Sequence, residues 1–135
     1  MTTTPDTPAQ RAFTAPGTNI ENQAYFDAAR EGRLLLKHCA GCGQYHFYPR
    51  AICPHCFSED THWKESAGQG TIYSFSVMRR VPQPYAIAYV ALDEGVTVMT
   101  GLVDCDFDQL AIGQRVRAVF RPTDGEATVP AFTPA

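Results

Sequence analysis

A mainly β protein, with one N-terminal helix, a cysteine-held ribbon and a small β-barrel, is predicted by three observations. Cys39, Cys42, Cys53 and Cys56 form two C-x2-C pairs separated by ten residues. Strand signals run on from about Gly70 to Phe120. Helical character is confined to one short segment near the start. At 135 residues the chain has room for one ordinary domain, or for two small modules of which one is held by something other than a large core.

Residues 1–17 (MTTTPDTPAQRAFTAPG) are rich in Thr and Pro and lack apolar periodicity, so a flexible N-terminal arm is expected there. Phe13 is its isolated aromatic and is given no function. Residues 18–33 are expected to hold the helix. Thr18 or Asn19 can cap it, Ile20, Ala24 and Ala28 recur at four-residue spacing, and Gly32 is placed to end it. Tyr25 and Phe26 widen the apolar side, which suits packing on the rest of the chain.

Residues 34–65 form the expected metal ribbon. Leu34–Leu36 reads as a strand leading into His38 and Cys39, and the aromatic-rich stretch 43–50 suits a small hairpin. Four thiolates from two tight turns can close a tetrahedron around zinc, leaving no open position for a substrate water, so the site is read as structural. Metal binding of this kind contributes on the order of 10 kcal/mol in small zinc modules. A rubredoxin-type iron site shares the spacing, but nothing else in the chain suggests electron transfer. With four thiolates available, His38, His46, His55 and His62 are excluded as ligands.

Residues 66–122 are expected to form the barrel. Ser66 to Gly70 is a turn or linker, after which Tyr73, Phe75 and Val77 alternate along one face. Tyr85–Leu92 is apolar at both parities, as in a strand buried on both sides. Asp93-Glu94-Gly95 reads as a hairpin turn into Val96, Val98, Thr100 and Leu102, and Val116, Ala118 and Phe120 mark a further long strand. Four strands are evident, with a fifth open. Residues 123–135 are read as a C-terminal tail, since Pro122, Pro130 and Pro134 argue against another central strand, although Val129 to Phe132 could add to an edge or to a partner.

No Ser-His-Asp pattern, glycine-rich phosphate loop or paired-carboxylate motif is present, so no catalytic residue is assigned. Cys105 lies between Asp104 and Asp106, whose charges raise a thiol pKa and make it a poor nucleophile. Arg79, Arg80 and Tyr85 bound a proline-bearing loop and are candidate contacts to the phosphates of a cofactor such as coenzyme A or to a partner; a plain solvated loop competes with that reading. A net charge of -3 and a pI near 5.7 argue against a protein whose main task is neutralising nucleic-acid phosphates. The apolar run Tyr85–Leu92 is far short of the ~20 residues that span a bilayer, and no signal-peptide pattern is seen, so a cytoplasmic location is expected.

The ordered motifs Gly32-Arg-Leu-Leu-Leu-Lys-His-Cys-Ala-Gly-Cys-Gly43, Tyr48-Pro-Arg50, Cys53-Pro-His-Cys56, Gly68-Gln-Gly-Thr-Ile-Tyr-Ser74, Pro84-Tyr85 and Ile112-Gly113 resemble the zinc-ribbon domain-containing OB-fold family, domain of unknown function 35. The resemblance runs from about Asn19 to Arg121. It implies a rubredoxin-like ribbon preceded by helical structure and followed by a five-stranded OB-fold, with Cys39, Cys42, Cys53 and Cys56 matching the family's metal ligands. It further implies a non-catalytic accessory subunit of a thiolase-like partner acting on acyl-CoA, by thiolysis, condensation, acyl transfer or retro-aldol cleavage, as in steroid side-chain or aromatic acid degradation. The small subunit would aid assembly and help shape the acyl-CoA channel. Two other readings stand beside it: a single-strand nucleic-acid module stacking bases on Tyr73, Phe75, Tyr85 or Tyr89, and a free-standing acyl-CoA-binding protein.

Overall fold

The structure is a computed structural model and is described for residues 13–135; the expected flexible arm lies outside the described residues as far as residue 12. Asn19 opens the first element: its side-chain oxygen accepts from the amides of Glu21 and Asn22 at 2.8 and 3.0 Å. Helix α1 then runs Gln23–Arg30. It ends in a Schellman motif, with Arg33 N–H on the Ala28 carbonyl, Gly32 N–H on the Ala29 carbonyl, and Gly32 at φ +82. The helix starts later than the sequence suggested, so its buried face differs from the expected one. Ile20 precedes it and is 96% exposed, Ala24 faces solvent, and the buried side is Tyr25, Phe26, Ala28 and Ala29.

Three short strands follow: β1 Leu35–Cys39, β2 Tyr45–His46 and β3 Thr61–Glu65. They pair antiparallel in the order β2-β1-β3, with Cys39 opposite Thr61 and Lys37 opposite both His46 and Trp63. The Lys37 ammonium sits 4.5 Å from the Trp63 ring centroid. The linker beyond β3 is tied down by one carboxylate. Glu94 accepts from Ser66 Oγ and from Ala67 N–H, both at 2.9 Å.

The barrel comprises β4 Gln69–Met78, β5 Tyr85–Leu92, β6 Thr97–Leu102, β7 Arg115–Pro122 and β8 Thr128–Pro134, closed in the order β4-β5-β6-β8-β7, with β7 returning to β4. A single 3-10 turn, Phe107–Gln109, lies between β6 and β7. Three sequence readings are corrected here. The first concerns β4. Ile72 pairs with Val90 but Ser74 with Tyr89, so Tyr73 is a bulge residue. The bulge shifts the inward set from Gly70 and Ile72 to Phe75 and Val77, and leaves Tyr73 68% exposed rather than in line with them. At Gly70 the neighbouring strand comes so close that a Cβ would lie 2.6 Å from the Ala91 carbonyl oxygen.

Strand β5 is the second correction. Ala86, Ala88, Val90 and Leu92 are buried, but Ile87 and Tyr89 on the other parity are 43% and 48% exposed. The third is the barrel's end, which the sequence reading set at residue 122. Its fifth strand is β8, within the segment read as a tail, and it pairs with β7 from Val116↔Pro134 to Pro122↔Thr128. Pro130 and Pro134 are tolerated because β8 touches its other neighbour at one residue pair only, Leu102↔Phe132. Along most of its length β8 is therefore an edge strand, where a missing N–H costs nothing.

Where β6 and β8 part, the gap is filled from outside. Tyr25 and Phe26 of α1 close one side, leaving a groove of about 610 Å³ against Val98, Val129 and Phe132. Residues 13–17, expected to belong to the arm, run along the barrel rim. Phe13 pairs with Thr123, its carbonyl accepts from Asp124 N–H at 3.0 Å, and Ala15 N–H donates to Asp124 Oδ1 at 2.8 Å. Helix, ribbon and barrel share one apolar core, in which Leu34, Leu35 and Leu36 join Ile72, Val90, Val116 and Phe132.

Candidate metal centre

Two turns of matching geometry build the centre. In the first, Gly43 N–H donates to the Cys39 carbonyl and Cys39 N–H to the Gln44 carbonyl; in the second, Phe57 N–H donates to the Cys53 carbonyl and Cys53 N–H to the Ser58 carbonyl, all between 2.8 and 3.0 Å. Both turns exit through a left-handed residue, Gly43 at φ +76 and Phe57 at φ +65. This backbone pattern turns the two sulfurs of each C-x2-C pair to the same side.

The four Sγ atoms lie within 4.8 Å of one another, with Cys39–Cys56 at 3.6 Å and Cys42–Cys53 at 3.7 Å. A tetrahedron with zinc–sulfur bonds of about 2.3 Å has edges of about 3.8 Å, so the cluster has the size of a zinc site. Cys39 and Cys53 are fully buried, Cys42 is half-buried and Cys56 lies at the surface. His55 N–H points at Cys53 Sγ from 3.3 Å. The Cys42 amide, aided by the Cys56 thiol and the Gly41 amide, holds Cys39 down to about 7 against burial. Cys56 behaves oppositely: the Ser58 amide draws it down, but Cys39, burial and the remaining sulfurs outweigh this and push it up to about 12. Four thiolates cannot coexist there without a cation, and a dication that fits releases protons on binding.

None of the four histidines belongs to the cluster. His62 pairs with Asp60 at 2.6 Å and His38 stacks edge-on with Tyr45 at 4.7 Å. His46 is 6% exposed, and neither ring nitrogen makes a hydrogen bond within the protein. Burial lowers its pKa; the Arg50 backbone opposes this weakly, without reaching hydrogen-bond geometry.

The loop between β4 and β5 holds the other candidates. Arg79 donates to Asp108 at 2.8 Å, Arg80 is exposed, and Tyr85 opens β5 opposite Met78. Tyr85 lines a groove of about 340 Å³ that also touches Phe13, Ile87, Met99 and Phe107, whereas neither Arg79 nor Arg80 is among the residues that line it. Cys105 is partly buried, and burial first, then the Asp106 charge, raise its pKa. The feature that sequence reading missed is the exposed apolar row on β5 and β6. Its signal was present in the double-parity run Tyr85–Leu92, which was read as burial.

Comparison with known proteins follows these modules. Residues 26–62 match the family model of the ChsH2 rubredoxin-like zinc ribbon domain, and residues 63–121 that of the ChsH2 C-terminal OB-fold domain. A DUF35 domain-containing scaffold protein of Methanothermobacter thermautotrophicus is 38% identical over 65% of this chain and 71% of its own length. The chain belongs to the ChsH2/DUF35 family. Among solved structures of the family, an Ltp2-ChsH2(DUF35) aldolase chain superposes with TM-score 0.79 and 37% identity, covering 89% of this chain and 98% of that one. A probable enoyl-CoA hydratase alpha subunit of Thermomonospora curvata is 38% identical over 89% of this chain, which spans only 39% of that relative's length. The family match makes the fold a zinc ribbon joined to an OB-fold. No helix among the described residues is long and apolar enough to cross a membrane.

Proposed function

We propose that this chain is a non-catalytic accessory subunit of a thiolase-like enzyme acting on acyl-CoA, with zinc held by Cys39, Cys42, Cys53 and Cys56 in a purely structural role. The observation that carries this is the likeness to nearly the whole of a chain from the Ltp2-ChsH2(DUF35) aldolase. It is supported by the closed four-sulfur cluster, which leaves a metal no free coordination position for substrate. The scaffold name of the archaeal relatives agrees with it. The thiolase-like protein supplies the reacting groups, and the acyl-CoA is shared between the two chains. A reducing, cytoplasmic compartment suits a cluster of free thiols.

Arg79, Arg80 and Tyr85 are the contacts proposed for the phosphate-bearing part of that ligand or for the partner's rim. Affinity capture of the tagged chain from its native host is the test. Stoichiometric recovery of a thiolase-like protein, and acyl-CoA turnover by the pair but not by this chain alone, is the expected result. Turnover by the isolated chain would overturn the non-catalytic assignment, and recovery of the chain alone would remove the accessory role. Replacing Arg79 and Arg80 together by Ala is expected to raise the KM for acyl-CoA or weaken the complex, while an unchanged KM and affinity would discard the loop as a contact.

A further inference from the structure

The four ligand positions of the metal centre are unequally protected. Cys39 and Cys53 are fully buried and Cys42 is half-buried, whereas Cys56 is exposed. The tip of its turn is open as well, since Pro54, His55 and Phe57 around it all face solvent. A thiol coordinated to a dication is deprotonated outright, so every sulfur of the loaded centre is a thiolate. Access then decides which of them an oxidant meets first, and Cys56 is the one at the surface.

Cys56 also has a second sulfur at hand. Cys39 Sγ lies 3.6 Å from Cys56 Sγ in hydrogen-bonding geometry, while Cys42 and Cys53 face each other in the same way at 3.7 Å. An accessible thiolate beside a resolving thiol is the arrangement by which cysteine sensors answer hydroperoxides. The turn that bears Cys56 is also the more readily opened of the two. Its exit residue, Phe57, is held at φ +65, a conformation from which a side chain gains by relaxing, whereas the first turn has Gly43 there. A route to the fold is present too, because Cys39 ends β1, whose Leu35 and Leu36 belong to the shared core.

We infer that the centre is a hydroperoxide-sensitive switch, in which Cys56 is oxidised first, Cys39 resolves it into a disulfide, and the metal is released. With hydrogen peroxide, the Cys56 thiolate attacks one peroxide oxygen. The S–O bond forms, the O–O bond breaks, and the departing hydroxide takes a proton from solvent, leaving Cys56 as a sulfenic acid. The Cys39 thiolate then attacks the Cys56 sulfur; the S–S bond forms, the S–O bond breaks, and the second hydroxide takes a second proton. Two thiolates have given up two electrons and one peroxide has become two waters. Cys42 and Cys53 remain as half a ligand set, and the ribbon loses the free energy that metal binding lends its fold. A thiol reductant and zinc reverse the change. The inference concerns the ribbon alone and does not depend on the accessory-subunit reading.

The experiment exposes the zinc-loaded full chain to hydrogen peroxide and follows metal release with a chromogenic chelator. Parallel samples with and without dimedone, which traps sulfenic acids, are mapped by mass spectrometry. The expected result is an early dimedone adduct on Cys56, then metal release together with a Cys39–Cys56 disulfide, and full zinc content again after dithiothreitol and zinc are added. Cys56→His keeps four metal-binding side chains and should release metal roughly tenfold more slowly, because its imidazole is not on the thiol oxidation ladder. Cys105→Ser, outside the cluster, should match the wild type.

A first adduct on any other cysteine, a disulfide that leaves Cys56 out, or release from Cys56→His at the wild-type rate would each overturn the switch. So would zinc retained while Cys105 is oxidised, or zinc loss that reductant and zinc do not restore. Should Cys56→His fail to take up zinc, the adduct and disulfide maps of the wild type decide the question by themselves.

Discussion

Phe57 shows how a single residue can be strained by the geometry it serves. It occupies the position after the second cysteine that Gly43 occupies in the other turn, and a side chain in the left-handed region costs about 1–2 kcal/mol. Phe57 is 79% exposed, so its ring recovers little of that by packing. Phe57→Gly is therefore expected to stabilise the ribbon by about 1 kcal/mol, read by chemical denaturation with zinc held constant; a destabilised variant would show that the ring makes a contact of value. His46 is the second residue-scale case. Its folded pKa lies below the ordinary value near 6.5, so the unfolded chain takes up the proton first as pH falls. Stability linked to this group is intact above about pH 6.5 and declines below it. His46→Leu also removes two buried nitrogens that lack partners. It should be the more stable protein at pH 7, with an advantage that grows towards pH 5. A margin constant with pH would show that the ring titrates alike in the folded and unfolded chain, and a margin that shrinks towards pH 5 that the fold favours the charged ring.

At the scale of elements, Glu94 joins modules distant in sequence. It sits at the β5–β6 turn, yet its carboxylate receives both hydrogen bonds from the linker that leaves the ribbon. Glu94→Ala is expected to cost about 1–2 kcal/mol in the denaturation midpoint without altering zinc content, whereas loss of zinc would place its effect in the ribbon itself. The elements were unequally legible in the sequence. The cysteine turns could be read because their geometry depends on a handful of adjacent residues, and Gly32 because a helix end is equally local. Ile20 and Ala24 misled because spacing alone does not say where the first helical turn begins. Tyr73 misled because a bulge is a property of two strands, not one. Pro130 and Pro134 argued correctly against a central strand; that β8 is nearly an edge depends on how far β6 and β8 diverge, which no local pattern records.

For the whole molecule, the shared core means that metal and barrel are not independent. Leu34–Leu36 lead directly into the first cysteine and pack with Ile72, Val90 and Val116 of the barrel. A strong chelator is accordingly expected to lower the thermal midpoint of the entire protein by roughly 10 °C or more, in one transition. Loss of the ribbon signal alone, with the barrel melting as before, would contradict this coupling. The composition of the metal site was legible at this scale and the exposed apolar side of β5 was not, because apolar residues at both parities of a strand have the same appearance in sequence whether they meet the core or face outward.

Pairing order carries a consequence for the chain as it is synthesised. The ribbon closes on neighbours: β1 meets β2 across the first cysteine turn and β3 just beyond the second. The barrel instead waits for its last strand, since β6 and β7 are bridged only when β8 arrives. A nascent chain thus has a finished metal module long before it has a closed barrel, and the apolar faces of β4 to β6 are exposed throughout that interval. Metal supply at the ribosome, rather than in the mature protein, is then where a shortage would first be felt, as aggregation of half-made barrels whose ribbons failed to set.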